Sequence, residues 1–321
     1  MKKTIFGSIA LLALLFVGCC GGDKQQQITV DQSLYSAEYN VFVVADAGRN
    51  GAYDQVRVGE VLGVYADQLE PEYILNCGDM FHYDGIQSVN DPLLISNFES
   101  IYPHGELQCK WWGVLGNHEY RGNSQAAIDY TYISRRWNLP ERYYTRVFEG
   151  HGDAKGESVQ VFFIDSVPLI DKYHEESETY PDAQGQSPEA QVKWLEEELA
   201  RSTARWKIAI CHHPIYSYSK KSPAETSQMQ ERVVDLFHKY NVDISLSGHV
   251  HTFQHLQPTD APTDYFVAPS ASRGRDPMFG EYTTAAIEGT GFLVLGFRKD
   301  KVAVSMIDKD GKLTYSYEIT K

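Results

Sequence analysis

Five short apolar runs of this chain each end in a side chain of a type that binds metal ions. In open α/β sheets, ligands bind beyond the carboxyl ends of the strands. A lone Asp or Gly-Asn-His after an apolar run is usually a turn or a helix cap. It is the repetition of such segments in one chain that indicates a ligand site. In chain order the segments are ADAG with Asp46, CGDMFH with Asp79, LGNHE with Asn117 and His118, CHHP with His212, and SGHVH with His249 and His251.

The candidate ligands are carboxylates, a carboxamide and imidazoles, without a thiolate. This donor set suits zinc, manganese or iron. A carboxylate shared between two ions is the usual device of a dinuclear site. The sequence therefore predicts a site for two metal ions beyond the strand ends.

The alternation of apolar runs with longer amphipathic stretches predicts an α/β fold. A helix is predicted to begin at Ser187-Pro188, since Ser caps a helix well and Pro suits its first position. From residue 264 onward the chain is mostly strands and turns. Strands are predicted at 40–45, 73–75, 112–115, 158–164, 206–210, 244–247, 292–297, 302–307 and 313–319. No repeat or linker interrupts residues 31–321, which predicts a single sandwich domain.

The start of the chain is typical of an export signal. Lys2 and Lys3 precede an apolar run over residues 5–17, and Gly18-Cys19 follows it as in a bacterial lipoprotein. We predict a lipoprotein-type signal peptide at 1–18 and a polar tether at 19–30. The protein is then expected on the bacterial envelope, facing the periplasm or the cell surface and anchored at Cys19, with a secreted soluble form as the alternative.

The formal net charge of −14 disfavours a protein that holds nucleic acid by its phosphates. Anionic small substrates remain compatible with this charge, because metal ions supply positive charge locally. Beyond the leader, Cys77, Cys109 and Cys211 are odd in number and have no paired spacing. We therefore predict buried thiols and no disulfide framework.

The motifs GD, GNHE and GHVH, in this order, resemble the calcineurin-like metallophosphoesterases. The DAG form of the first motif resembles the purple acid phosphatase branch. Further segments are similar to its small, tartrate-resistant type over about residues 38–300: ISRRWNLP at 133–140, FFIDS at 162–166, KWL at 193–195 and HP at 213–214.

This resemblance implies a four-layer α/β/β/α sandwich with two metal ions, iron, zinc or manganese, at one end of the sheets. It implies that Asp79 binds both ions. Asp46 and His251, with a third side chain, would bind one ion, and Asn117, His212 and His249 would bind the other. His118 would face the leaving-group oxygen, and Glu119 would fix the orientation of the His118 ring.

The chain departs from the family pattern at the third ligand of the ion that Asp46 and His251 would bind. Purple acid phosphatases have a tyrosine three residues after the shared Asp, and its phenolate on iron(III) gives the colour. Here that position is His82, followed by Tyr83. We predict His82 as the ligand, with Tyr83 or water as alternatives. An imidazole in place of the phenolate disfavours iron(III).

A second departure concerns the leaving-group side, where the tartrate-resistant type has another histidine after its His-x-Pro segment. Residues 216–230 contain no histidine. These residues are expected to form a solvated loop, with phosphate orientation by Lys220, Lys221 or a tyrosine as the alternative. His118 would then be the only acid. Arg273 and Arg275 are expected to line a turn, with a phosphate clamp as the alternative. His213 and His255 either orient ligands or simply pack.

The resemblance implies a phosphomonoesterase that uses in-line attack of a hydroxide held by the metals. Alternatives are a phosphodiesterase or nucleotide pyrophosphatase on the same site, and a non-enzymatic lipid-anchored binding protein. The expected substrate is a phosphorylated small molecule or a phosphoprotein. We expect a monomer without a nucleic-acid partner that meets the membrane only through its lipid anchor.

Overall fold

The computed structural model describes residues 28–221, 223–259 and 261–321. The predicted signal peptide, Cys19 and most of the predicted tether lie outside the described residues. At the described end of the tether, Val30 is 1% exposed and packs in the hydrophobic core. The folded structure therefore includes Val30.

Fourteen strands and five α-helices form in the described part of the chain. The strands are β1 Tyr39–Val44, β2 Tyr73–Asn76, β3 Lys110–Gly113, β4 Trp137–Asn138, β5 Tyr144–Glu149, β6 Ser158–Phe163, β7 Trp206–Ile210, β8 Ile244–Ser247, β9 Phe253–Leu256, β10 Asp264–Val267, β11 Thr283–Ile287, β12 Gly291–Arg298, β13 Lys301–Asp308 and β14 Leu313–Thr320. The α-helices are α1 Gln55–Leu69, α2 Ser124–Asp129, α3 Asp171–Glu175, α4 Pro188–Arg201 and α5 Pro223–Tyr240. Short 3₁₀ turns and one π turn connect them at Gln32–Ser36, Ile95–Glu99 (π), Glu106–Gln108, Glu119–Arg121, Tyr130–Tyr132, Gly152–Ala154 and Pro181–Gly185.

The strands form two mixed sheets of seven strands each. The first sheet has the order β14-β13-β12-β1-β2-β3-β4, in which β1 to β4 are parallel and β12 joins β1 antiparallel. The second sheet has the order β11-β9-β10-β8-β7-β6-β5, with β6, β7, β8 and β10 parallel. Each sheet thus has a parallel centre whose strands end at one edge.

Both faces of the sheets are covered. Val41 and Val43 of β1 lie in the core between the sheets, whereas Phe42 packs with helical residues. Tyr65 of α1 meets Phe292 of β12 with ring centres 5.5 Å apart. On the second sheet, Gln191 of α4 exchanges two hydrogen bonds with the backbone of Asp165, directly after β6. The four-layer α/β/β/α sandwich is confirmed.

Several predicted elements have the predicted bounds. Strands β7 and β8 begin and end as expected, and α4 begins at Pro188, where the Ser187 hydroxyl accepts a hydrogen bond from the Ala190 N–H at 3.2 Å. Strands β5 and β11 were not predicted, because they are the half-exposed edges of the second sheet and lack a continuous apolar run. Strand β9 was also not predicted, since it carries the buried polar pair Gln254 and His255.

The three cysteines beyond the leader differ in burial. Cys77 and Cys211 are buried free thiols, as predicted, whereas the free thiol of Cys109 is half-buried. Within the described ranges, no helix combines the length and the apolar character needed to cross a membrane.

Candidate metal centre

The side chains that follow β1, β2, β3, β7 and β8 come together at one edge of the sandwich. Four of them sit on backbone in the left-handed region, with φ of 52° at Asp46, 55° at Asp79, 71° at His249 and 60° at His251. Residues other than glycine rarely adopt this conformation, and such strain is concentrated at functional sites. The local backbone therefore turns these side chains inward at a conformational cost.

Glycines allow the turns to approach each other closely. A Cβ atom on Gly116 would lie 2.2 Å from Oδ1 of Asp79, and one on Gly248 would lie 2.6 Å from Oδ2 of Asp46. Any other residue at these two positions would displace a carboxylate. The glycines of the LGNHE and SGHVH motifs are thus part of the site.

One group of donors consists of Asn117, His212 and His249. Oδ1 of Asn117 lies 3.2 Å from Nε2 of His212 and 3.1 Å from Nδ1 of His249. The two imidazole nitrogens are 3.2 Å apart. All three side chains are buried. The predicted ligands of one ion therefore converge on a single point.

A second group consists of Asp46, His82 and His251, whose ligand atoms all lie within 4.8 Å of one another. Oδ1 of Asp46 is 3.2 Å from Nε2 of His251. Asp79 lies between the two groups, because its Oδ2 is 3.2 Å from Nε2 of His212 and 3.4 Å from Nε2 of His82. Asp79 is thus placed to serve both groups.

The buried donors fit a pair of cations. Oδ2 of Asp46 accepts from the backbone N–H of His249, and Oδ1 of Asp79 accepts from that of His118, both at 2.9 Å. The other oxygen of each carboxylate is buried without a hydrogen-bond partner, as are both ring nitrogens of His82. Buried polar atoms normally have a hydrogen-bond partner, so these atoms without one point to a bound ligand.

The electrostatics of the cluster agree with this reading. Burial alone would lower the pKa of His212, but the negative charge of Asp79, 3.2 Å away, raises the pKa to about 9. The histidine charges around Asp79 hold the pKa of its carboxyl well below the usual range despite burial. The cluster therefore stabilises positive charge at its centre.

The second nitrogen of each of three imidazoles is held from outside the cluster. Nδ1 of His212 is 2.8 Å from the carbonyl of Cys77, and Nδ1 of His251 is 2.7 Å from the carbonyl of Arg273. Nε2 of His249 is 2.9 Å from Oε2 of Glu225. Such contacts fix the tautomer and the orientation of metal-binding imidazoles.

Glu225 was missed by the sequence analysis, which placed it in a solvated loop. It lies in the first turn of α5, where it is 4% exposed. Its Oε1 accepts hydrogen bonds from the Tyr173 hydroxyl at 3.0 Å and from Lys172 Nζ at 3.1 Å. The Tyr173 hydroxyl also lies 2.7 Å from Nε2 of His213. Only tertiary packing brings these residues together, so no local sequence pattern marks them.

The expected role of Glu119 is wrong. Its carboxylate accepts from the backbone N–H groups of Gly116 and Asp79, at 2.7 and 2.9 Å, and from that of Phe81 at 3.0 Å. The His118 ring is instead held through Nδ1 by the carbonyl of Tyr83. Glu119 is 3% exposed and joins the LGNHE and CGDMFH turns. It therefore shapes the backbone of the site and does not orient His118.

His118 lies inside the centre beside the shared carboxylate. Its Nε2 is 3.9 Å from Oδ2 of Asp79, and its ring centre is 4.0 Å from that of His82. Burial lowers the pKa of His118 to about 3. An adjacent anionic group opposes this effect, since it favours the protonated ring.

The structure separates His82 from Tyr83. His82 is 3% exposed and faces Asp79, whereas Tyr83 is 55% exposed and its ring lies 4.6 Å from the Arg49 guanidinium carbon. The arrangement favours His82 over Tyr83 as the third side chain of the second group.

The two lysines differ from each other. Lys220 is exposed, as expected, but the expectation of a solvated loop is wrong for Lys221. Its Nζ donates to the carbonyl of His249 at 3.1 Å and lies 3.3 Å from Nδ1 of the same residue. A cation therefore stands at the edge of the first group. The sequence around Lys221 contains no pattern that predicts this position.

The two remaining histidines also have different surroundings. His213 is buried between the Ser166 hydroxyl and Tyr173, which links it to Glu225. His255 lies on β9, where it contacts Asp264 at 2.9 Å and the Tyr315 hydroxyl at 2.7 Å. His255 is thus a packing residue of the second sheet, whereas His213 belongs to the network behind His249.

Comparison with known proteins assigns the class. Residues 39–253 match the family described as calcineurin-like phosphoesterase. The chain belongs to this family. It is 26% identical to purple acid phosphatase 17 of Arabidopsis thaliana, over 100% of this chain and 97% of the relative. It is 27% identical to human tartrate-resistant acid phosphatase type 5, over 79% of this chain and 80% of the relative. The resemblance to this branch of the calcineurin-like family is confirmed.

Solved structures share the fold. The chain superimposes on the structure titled "GAP50 the anchor in the inner membrane complex of Plasmodium" with a TM-score of 0.75. The two are 18% identical, and the match covers 88% of each chain. The buried His and Asp groups of this calcineurin-like phosphoesterase are consistent with the dinuclear metal site of its family.

Proposed function

We propose that this phosphoesterase hydrolyses phosphate monoesters at a dinuclear metal centre. The observation that carries the proposal is the position of Asp79, whose Oδ2 lies 3.2 Å from His212 and 3.4 Å from His82. One carboxylate between two sets of donors is the arrangement that a two-metal phosphatase needs. Relatives at about a quarter identity are named acid phosphatases, which supports this reaction class.

The residues have separate tasks in this proposal. Asp46, His82 and His251 would hold one ion, Asn117, His212 and His249 the other, and Asp79 both. Bound divalent ions would supply Lewis-acid stabilisation of the phosphoryl oxygens and acidify the attacking water. Elemental analysis of the protein purified with its metals would distinguish iron, zinc and manganese.

His118 would contact the departing oxygen. The carbonyl of Tyr83 holds its Nδ1, so Nε2 is directed to the side of Asp79 and His82. Before a substrate binds, the lowered pKa of His118 keeps the ring neutral at pH 7. A phosphate dianion would favour its protonation and so prepare it to donate a proton to the leaving group.

The test compares a monoester with a diester that has the same leaving group. We expect the protein purified with its metals to hydrolyse p-nitrophenyl phosphate faster than bis(p-nitrophenyl) phosphate. Asp79→Asn should abolish both activities, whereas Asp84→Asn, an exposed carboxylate in the same loop, should retain them. A strong preference for the diester would make the protein a phosphodiesterase, and bound metals without turnover would make it a binding protein.

We also propose that the protein is an exported, monomeric lipoprotein anchored at Cys19. The support is the sequence alone, with two lysines, the apolar run over 5–17 and Gly18-Cys19. In a bacterial host, Cys19→Ala should move the protein from the membrane fraction to the soluble fraction. An unchanged membrane fraction would contradict the anchor.

A further inference from the structure

Four cationic side chains lie close to predicted ligands on one side of the metal centre, which we call its mouth. They are Arg49, Lys221, Arg273 and Arg275. Elsewhere on the surface, arginines such as Arg57 and Arg201 pair with carboxylates. In the part of the chain that the structure describes, Arg49, Arg273 and Arg275 form no ion pair with a carboxylate, and two nitrogens of Arg49 are buried without a hydrogen-bond partner. Their charge is therefore available to a ligand.

Arg49 is the member of this group with buried nitrogen atoms that lack a hydrogen-bond partner. It is 7% exposed, and its Nε and Nη1 atoms are buried without a hydrogen-bond partner. Its backbone is fixed by a hydrogen bond from its N–H to Oε1 of Gln55 at 3.0 Å. A buried charge is costly unless it is paired. Among the described residues Arg49 has no carboxylate partner and lies against the neutral phenol of Tyr83, so an anion from outside would compensate its charge.

Arg49 stands on the side of the centre occupied by His82. Its guanidinium carbon is 4.6 Å from the ring centre of Tyr83, and the carbonyl of Tyr83 holds His118. Tyr53 and the Arg49 guanidinium lie close enough to the Tyr83 hydroxyl to lower its pKa, and the guanidinium of Arg273 lies 5.0 Å from the Tyr53 ring centre. Two arginines therefore flank one pair of exposed tyrosines at the rim.

The same rim is tied to a predicted metal ligand. The carbonyl of Arg273 lies 2.7 Å from Nδ1 of His251, and the N–H of Arg275 donates to the carbonyl of His251 at 2.9 Å. The arginine segment thus has a fixed position relative to the second group of donors. These two contacts fix the backbone of the arginine segment.

Charge balance favours more than one anionic group. Asp46, Asp79, Glu119 and Glu225 contribute four buried negative charges, which two divalent ions would neutralise. One phosphate dianion on the ions would then balance two of the four cationic side chains and leave the other two for a second anionic group. Arginine suits a second group well, because its planar fork binds phosphate or carboxylate through two parallel hydrogen bonds.

We propose that Arg49 and Arg273 form a second anion-binding subsite beside the metal centre. The natural substrate is then a phosphate ester that carries a second phosphate or carboxylate group near the phosphate that is cleaved. This inference rests on the proposed phosphatase activity and narrows it to a substrate class.

Paired substrates test the subsite by kinetics. Fructose 1,6-bisphosphate against fructose 6-phosphate adds a phosphate, and 3-phosphoglycerate against glycerol 3-phosphate adds a carboxylate. We expect the wild type to have the higher kcat/KM for the two-anion member of at least one pair. Arg49→Gln should reduce that preference on the order of tenfold, the worth of a hydrogen bond to a charged group. Arg57→Gln, a surface arginine of α1, should leave it unchanged.

Calorimetry tests the same subsite without turnover. Methylenediphosphonate and methylphosphonate differ by one anionic group, and metal content measured before and after titration reveals any chelation. The wild type should bind the diphosphonate more tightly, and Arg49→Gln should lose that difference. If the wild type hydrolyses none of the esters but keeps the difference, the subsite stands and the proposed function fails.

Two further variants guard against a folding defect. Arg49→Lys keeps the charge without the fork, so we expect a partial loss of the preference. Arg273→Gln changes an exposed side chain and should reduce the preference without affecting the melting temperature. Equal losses on both members of each pair, or no preference in the wild type, would overturn the second subsite and leave Arg49 as a clamp on a single phosphate.

Discussion

Oε2 of Glu225 lies 2.9 Å from Nε2 of His249, whose other nitrogen, Nδ1, faces Asn117 and His212. The carboxylate thereby fixes which edge of the ring faces the centre. The Tyr173 hydroxyl and Lys172 hold the carboxylate in turn. The orientation of His249 is thus fixed by residues of α3 and α5, outside the turn that carries His249.

We expect Glu225→Ala to lower the affinity for one metal ion by about 10–100-fold, the usual cost of removing such a partner. Metal content and activity should recover as zinc or manganese is added back, because the ligands themselves remain. Glu231→Ala changes an exposed carboxylate on the same helix and serves as the control. Loss of both ions, or activity that added metal does not restore, would argue against a positioning role.

Replacing the predicted ligands themselves should have a larger effect. Asp79→Ala, Asn117→Ala and His249→Ala are each expected to lose nearly all turnover, beyond the 10–100-fold cost of an outer partner. Asp79→Ala should lose both ions, since its carboxylate faces both groups. Elemental analysis and phosphate release provide the measurements. A folded, metal-poor Asp79→Ala protein with normal activity would show that the shared role is wrongly assigned.

The sequence was most informative where function depends on strand ends. The predicted ligands directly follow buried strands or lie in short glycine turns, so local pattern alone placed them at one edge of the sandwich. Glu225 and Lys221 reach the same centre from the start of α5 and the loop before it. Their positions follow from packing between distant segments, which a local pattern does not encode.

Glu119 shows a different limit of sequence reasoning. Its position next to His118 favoured a direct contact, because acidic partners of histidine are common. The 3₁₀ turn at Glu119–Arg121 directs the carboxylate toward the backbone N–H groups of Gly116, Asp79 and Phe81. The direction of a side chain in a tight turn is set by backbone angles, and the sequence of the motif does not specify them.

The leaving group should reveal the role of His118. We expect His118→Asn to keep both ions but to lose more activity on an alkyl phosphate than on p-nitrophenyl phosphate, since a nitrophenolate departs without a proton. General acids contribute about 10²–10⁴-fold when the leaving group is poor. Equal losses on both substrates would indicate that His118 positions the phosphoryl group and donates no proton.

Stability should depend on the protonation of Asp165, which is buried away from the centre. Burial raises its pKa to about 6, although Arg142 and the Tyr120 hydroxyl oppose the shift. Because the pKa is raised in the folded state, this contribution to stability is complete below about pH 4 and is lost as the pH rises through about 6. The difference amounts to at most about 3 kcal/mol.

Asp165→Asn should remove that pH dependence and keep an acceptor for the Tyr120 hydroxyl. We expect the variant to lose less free energy of unfolding than the wild type between pH 4 and pH 7, as measured by urea denaturation. Asp235→Asn, an exposed carboxylate on α5, should behave like the wild type. Identical pH profiles for all three proteins would contradict the assignment.

The identity of the third side chain in the second group determines the colour of the protein. His82 faces Asp79, and the exposed phenol of Tyr83 lies against Arg49. If His82 is the ligand, no tyrosinate contacts iron, and the native protein should lack a purple charge-transfer band even when iron is present. Without that anionic ligand, a divalent pair is favoured over iron(III), and activity should be greatest near neutral pH.

Two variants separate His82 from Tyr83. His82→Ala should lose one of two metal equivalents and most of its activity, whereas Tyr83→Phe should retain the metals, since its phenol lies outside the centre. His82→Tyr reconstituted with iron should gain a purple band and an optimum at lower pH, because it restores a phenolate at the position where the family has one. A purple wild type with a strongly acidic optimum would transfer the ligand role to Tyr83, which would then have to turn inward past His118.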